Sequence, residues 1–176
     1  MADTSRLDLI GDSHLEYMPP GLASQLLPGG QVKCFAIGGS TIANVAPQVR
    51  GEADYYLLSI GTNDAAMWAG TALGRFRDHL TAVIEKVGKP IAFMRSPGAW
   101  EPLLGGFGAE LTESIDRYAD AGIEVVEAAG GVVVDVRPAL APLGQDAFEY
   151  DGVHLSLRGY QAITPVLADA VARLRG

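Results

Sequence analysis

"DLIGDSHLEY", residues 8–17, joins a short apolar run to a glycine, a polar cluster and then a helix-forming stretch. Uninterrupted hydrophobicity ending at glycine is how a strand covered on both faces hands the chain to a turn. One such unit fixes little alone; its recurrence fixes the fold. Apolar runs rich in β-branched residues occupy "RLDLIG" (6–11), "QVKCFAIG" (31–38), "DYYLLSIG" (54–61), "IAFMRS" (91–96) and "VVVDV" (132–136). The intervals between them are of helix length, roughly 16–27, 41–50, 70–87, 107–121 and 159–175. In the third, Leu73, Phe76, Leu80, Val83 and Ile84 recur at helical spacing, with Gly88 placed to cap the end. In the last, Ile163, Val166, Leu167 and Val171 do the same.

Alternating strand and helix predicts an α/β protein. The expected form is a three-layer α/β/α sandwich around a flavodoxin-like five-stranded parallel sheet of order 2-1-3-4-5, with right-handed crossovers. Residues 1–176 are expected to form a single domain, a length that suits one substantial core. "GIEVVEAAGG" (122–131) reads either as an extra strand or as helix, and helix is preferred.

Hydrophobic residues make up 48% of the chain and charged residues 19%, a globular balance. A net charge of −8 argues against nucleic acid or an anionic membrane as partner, since both select basic surfaces. A small, uncharged or cationic substrate fits better. No apolar run approaches the ~18 residues of a membrane span, and "MADTSRLDLIGDS" does not read as a signal peptide, so the expectation is a soluble, cytoplasmic protein without membrane insertion. The single cysteine, Cys34, excludes an internal disulfide and is expected to be a buried, inert thiol within "VKCFAI".

Four polar clusters carry the chemistry. "GDSH", "IGGST" and "IGTND" each close one of the first three strands, and "YDGVHLS" precedes the last helix. Taken singly, their glycines are turn residues and their hydroxyls and amides are caps. In a parallel sheet, however, the three strand ends share one edge, where open α/β sheets place their ligands. That edge then gathers a hydroxyl (Ser13), a glycine amide (Gly39), a side-chain amide (Asn63) and a histidine with a nearby carboxylate (His154, Asp151). Acyl transfer asks for this set: a nucleophilic oxygen, a base, a group that orients the base, and donors for the oxyanion.

The four blocks, spanning residues 11–154 in order, resemble those of the SGNH hydrolases, also called the GDSL esterase/lipase family. The resemblance implies Ser13 as nucleophile, Asp151 and His154 completing a catalytic triad, and an oxyanion hole from the Ser13 and Gly39 N–H groups and the Asn63 side chain. It implies a serine esterase that forms an acyl-enzyme, with a small-molecule ester as partner and neither cofactor nor metal. The chain departs from the pattern twice. "GDSH" stands where many relatives have leucine after the serine, a form similar to branches handling O-acetyl groups on carbohydrates, which points to short acyl groups. Cys34 stands where many relatives have an asparagine that braces the second block, which leaves the rigidity of that block open.

Other readings fit less well. There is no G-x-S-x-G, no P-loop around "EKVGKP", and no G-x-G-x-x-G in "GGFGAEL". His14, His79 and His154 have no tight metal-ligand spacing among the carboxylates. His14 is expected at a turn or pocket wall and His79 on the surface. An acyltransferase using the same acyl-enzyme, or a non-catalytic binding domain of the same fold, remain the alternatives. Met67, Trp68, Met94, Arg95 and Trp100 are placed where a pocket wall could be, without a signal that assigns them one. The sequence leaves the oligomeric state open.

Overall fold

The computed structural model describes residues 4–176. Five strands, β1 (Arg6–Gly11), β2 (Gln31–Cys34), β3 (Tyr55–Ser59), β4 (Ile91–Met94) and β5 (Val132–Val134), form one sheet. Its order is β2-β1-β3-β4-β5 and every pairing is parallel. The expected fold class and strand order are therefore found.

The sheet is covered on both sides, and side-chain alternation along each strand feeds two cores. On one face Leu7, Leu9, Leu57, Ala92, Met94 and Val134 pack with Leu15 and with Ile163, Leu167 and Val171 of the last helix, α6 (Leu157–Arg173). On the other, Ile10, Tyr56, Leu58 and Phe93 meet Phe76, Leu80 and Val83 of α3 (Leu73–Val87), and Ile115, Ala121 and Val126 of α4 (Gly108–Ala128). The stretch 122–128 is thus the end of a long helix. A buried ion pair anchors β1, where the Arg6 Nε–H donates to Asp8 Oδ1 at 2.7 Å and Nη2–H to Oδ2 at 3.1 Å.

Several boundaries differ from the sequence reading. The expected helix 16–27 is broken into α1 (Ser13–Glu16), α2 (Pro20–Ala23) and a 3-10 turn at Ser24–Leu26, because Pro19–Pro20 cannot continue a helix. The interval 41–50 holds only 3-10 turns at Ile42–Asn44 and Ala46–Gln48, with Pro47 interrupting. A further short helix, α5 (Arg137–Leu140), precedes a 3-10 stretch over Ala141–Ala147. β1 has the expected bounds, whereas β2, β3, β4 and β5 end two to four residues before the runs that the sequence suggested. Cys34 is exposed and not buried, because β2 is an edge strand; its thiol lies 3.6 Å from the Leu15 carbonyl.

Candidate active site

β1 ends at Gly11, and the chain must pass tightly over β3. Gly11 has φ +124°, and a Cβ there would stand 1.8 Å from the Ser59 carbonyl oxygen, so only glycine fits. The next residue, Asp12, caps α1 by accepting the His14 N–H at 3.2 Å. Ser13 therefore begins α1 at the carboxyl end of a central strand, only 5% exposed.

The turn at 149–154 comes to meet it from the far end of the chain. His154 Nε2 lies 3.0 Å from Ser13 Oγ, and His154 Nδ1 lies 2.5 Å from Asp151 Oδ2. A carboxylate can only accept, so the proton between Nδ1 and Asp151 sits on the ring, and Nε2 turns its lone pair to the serine hydroxyl. Asp151 Oδ1 accepts the N–H groups of Val153 and His154, both at 2.9 Å. Partial burial pushes the Asp151 carboxyl up, and the His154 ring and these two N–H donors outweigh it, holding the group below its ordinary value.

The second and third turns close around the same point. A Cβ on Gly38 would be 3.5 Å from the Ser13 Cβ, which puts that turn against the serine. Gly39 has φ +75° with open space over its Cα. The N–H groups of Ser13 and Gly39 donate to no acceptor among the described residues. Asn63 Nδ2 gives one hydrogen to the Ser40 carbonyl at 3.0 Å and keeps the other.

What makes the cluster rigid was not visible in the sequence. Gln48, almost fully buried, accepts the Gly11 N–H at 2.6 Å and donates to the Gly11 carbonyl at 3.0 Å and to Ser40 Oγ at 3.3 Å, riveting the first block to the second. Glu16 Oε2 accepts the Gly38 N–H at 2.6 Å. Asp64 accepts the Ile42 N–H with both oxygens, at 3.2 and 3.0 Å, tying the third block to the second. With Cys34 where an asparagine was expected, these three side chains brace the block. Gln48 lies in "NVAPQVR", where nothing local distinguishes it from a surface residue.

The remaining side chains divide. Met94 is core, and Arg95 pairs with Asp120 and Asp135, each at 3.2 Å. Trp68 and Met67 are exposed, while Trp100 lines a cavity of about 220 Å³ with Pro97 and Phe148. His79 lies on the exposed side of α3. Beside His154 a groove of about 390 Å³ is lined by Tyr17, Glu149, Tyr150 and Leu157, and the Tyr17 ring centroid is 5.2 Å from that of His154. No group of three or more metal-ligating side chains occurs among the described residues, and no helix there is long and apolar enough to cross a membrane.

The family model of the GDSL-like lipases and acylhydrolases matches residues 8–162, which include all four blocks. The chain belongs to that family. With this membership it is a carboxylic ester hydrolase of the SGNH type. Among solved structures, a lipase/acylhydrolase from Enterococcus faecalis is 20% identical, covers 97% of each chain and superposes with a TM-score of 0.83. An alpha/beta hydrolase from the metagenome of Lake Arreo, Spain, is 19% identical over 100% of this chain and 99% of its own, with a TM-score of 0.79. An acetylxylan esterase from Geobacillus stearothermophilus is 18% identical over 97% and 96%, with a TM-score of 0.76. At these identities the likeness is one of fold. A comparison with curated protein sequences finds no match.

Proposed function

We propose that this esterase removes short acyl groups, acetyl above all, from a small alcohol or carbohydrate through an acyl-enzyme on Ser13. The observation that carries the reading is the unbroken chain of contacts from Ser13 Oγ to His154 Nε2 at 3.0 Å and from His154 Nδ1 to Asp151 at 2.5 Å. His154 accepts the Ser13 proton as Oγ bonds to the ester carbon, and returns it to the departing alkoxide as the carbon–oxygen bond breaks. Water then enters, gives its proton to His154 and attacks the acyl group, and Ser13 leaves with that proton. Asp151 keeps the ring in the required tautomer and stabilises the imidazolium. The oxyanion of both tetrahedral intermediates is received by the N–H groups of Ser13 and Gly39 and the remaining Asn63 amide hydrogen.

The leaving alcohol must sit on the His154 side of the serine, since it takes its proton there. That side carries the groove of Tyr17, Tyr150 and Leu157, with Tyr150 90% exposed and Tyr17 54%. Aromatic faces beside the Glu149 carboxylate suit a hydroxylated ring, which presents C–H faces and O–H donors together. One of the structural neighbours is an acetylxylan esterase, named for an acetyl ester of a carbohydrate.

The test is a chain-length series of p-nitrophenyl esters, together with acetylated sugars offered with and without an acceptor alcohol. Acetate should be preferred, and release of free acetate from the sugars should dominate. A maximum at eight carbons or more contradicts the short-acyl reading. Transfer to the alcohol in preference to water replaces hydrolysis with the acyltransferase reading of the same site.

A further inference from the structure

The histidine after the nucleophile has no part in the chemistry above, yet it is 1% exposed, with one ring nitrogen on a carbonyl oxygen and the other near a carboxylate. Its Nε2 is 3.2 Å from the carbonyl oxygen of Val153, the residue between Asp151 and His154 in the turn that carries them. Its Nδ1 is 3.4 Å from Asp12 Oδ1, an ion-pair distance that does not make a hydrogen bond, and it has no other partner among the described residues. Asp12 is fully buried; Oδ1 accepts the His14 N–H and the Ser59 hydroxyl, each at 3.2 Å, while Oδ2 has no hydrogen-bond partner among the described residues.

Two buried polar groups this close are costly unless they compensate each other. The Asp12 charge beside the ring does so through space, while Asp12 Oδ1 holds the residue itself by its backbone N–H. A carbonyl oxygen can only accept, so the hydrogen between Nε2 and Val153 sits on the ring. Burial alone would lower the His14 pKa; the neighbouring Asp12 outweighs it, and the group is held above its ordinary value. The other charged or titratable groups near the pair are Asp64, Asp151, the His154 ring at 6.3 Å from centroid to centroid, and Tyr160.

We propose that His14 is a positioning residue: anchored by Asp12, it straps the 149–154 turn to the Ser13 turn through its hydrogen bond to Val153. This rests on the triad reading above and extends it to what sets the serine–histidine distance. Among the described residues, only one hydrogen bond besides the Ser13–His154 contact joins these two turns, and it is this strap. The other ties of the later turn are internal, as from Glu149 N–H to the His154 carbonyl at 2.8 Å, or run elsewhere, as from Trp100 N–H to the Gly152 carbonyl at 2.7 Å. Without the strap the one hydrogen bond left between the two turns is the contact that the reaction itself must break.

The test compares His14→Leu, which keeps an apolar side chain of similar reach but no donor, with His14→Gln, whose amide nitrogen is as many bonds from the backbone as Nε2. His14→Leu should lower kcat for p-nitrophenyl acetate about 10- to 100-fold with KM little changed, the effect of slightly misplacing a catalytic group. His14→Gln should recover to within about threefold of wild type. Equal kcat in the two folded variants, whether both normal or both impaired, overturns the strap, because packing alone does not distinguish them in this direction. A second arm needs neither variant nor activity. In the wild-type protein the His14 Nε2–H should be a slowly exchanging NMR resonance with scalar coupling to the Val153 carbonyl carbon. Its absence overturns the proposal even if the variants fail to fold. Failure of the wild type to hydrolyse any ester counts instead against the proposed function, leaving the NMR result to decide the strap.

Discussion

Asp64, the last residue of "GTND", offers a stability prediction whose size follows from its surroundings. Its side chain bridges to the Ile42 N–H from a position only 2% exposed. Burial raises its pKa first of all, the Ile42 and Thr71 hydrogen bonds oppose that, and the Asp12 charge adds to it, leaving the carboxyl pushed up to about 6 from 3.8. Between those two values the folded chain holds a proton that the unfolded chain has lost. Stability therefore falls as pH rises through this window and levels off above it. A displacement of about two units at 1.36 kcal/mol each makes the ionised state cost about 3 kcal/mol. Asp64→Asn keeps a carbonyl oxygen for Ile42 and removes the titration. Urea unfolding of both proteins between pH 4 and 7.5 should find the variant gaining on wild type by about 3 kcal/mol across the range. With a urea m-value of about 2 kcal/mol/M, that is a relative midpoint shift of about 1.5 M. A difference between the two proteins that is the same at every pH refutes the reasoning.

Asn63→Ala should lower kcat by about 10²–10³-fold with an unchanged fold, as loss of one oxyanion donor does; steady-state kinetics with p-nitrophenyl acetate check it. In the proposed triad the carboxylate only orients and stabilises the base, so His154→Ala should cost on the order of 10⁶-fold in kcat and Asp151→Asn on the order of 10⁴-fold; the reverse ranking means that another group holds His154. Gly11→Ala should destabilise by about 3 kcal/mol or more, combining backbone strain with the clash on the Ser59 carbonyl. In a chain of this size that lowers the melting temperature by about 10 °C in a thermal scan, and an unchanged value contradicts the packing described for β1.

The sheet was legible because buried parallel strands write themselves as continuous apolar runs, and "RLDLIG" and "DYYLLSIG" are such runs. Helix lengths were less so: Pro19, Pro20 and Pro47 break the intervals 16–27 and 41–50, where hydrophobic spacing alone suggested whole helices. Cys34 was misplaced because its apolar run was weighed alone, although the expected order 2-1-3-4-5 already puts that strand at the sheet edge. The four polar blocks could be read because each is short, local and glycine-marked. Gln48, Glu16 and Asp64 could not be assigned bracing roles, since the contacts of Gln48 and Glu16 span 37 and 22 residues and exist only once the strands are ordered. His14 escaped for the same reason, its partner Val153 being 139 residues away.

The central claim is that Ser13 is the nucleophile and His154 its base. The most direct measurement is peptide mapping by mass spectrometry after treatment with diisopropyl fluorophosphate, alongside residual activity on p-nitrophenyl acetate. The account predicts one adduct, on the peptide carrying Ser13, accumulating in step with the loss of activity, and none at that peptide in Ser13→Ala. Inactivation with Ser13 unmodified, or an unlabelled Ser13 in a fully active enzyme, would contradict it.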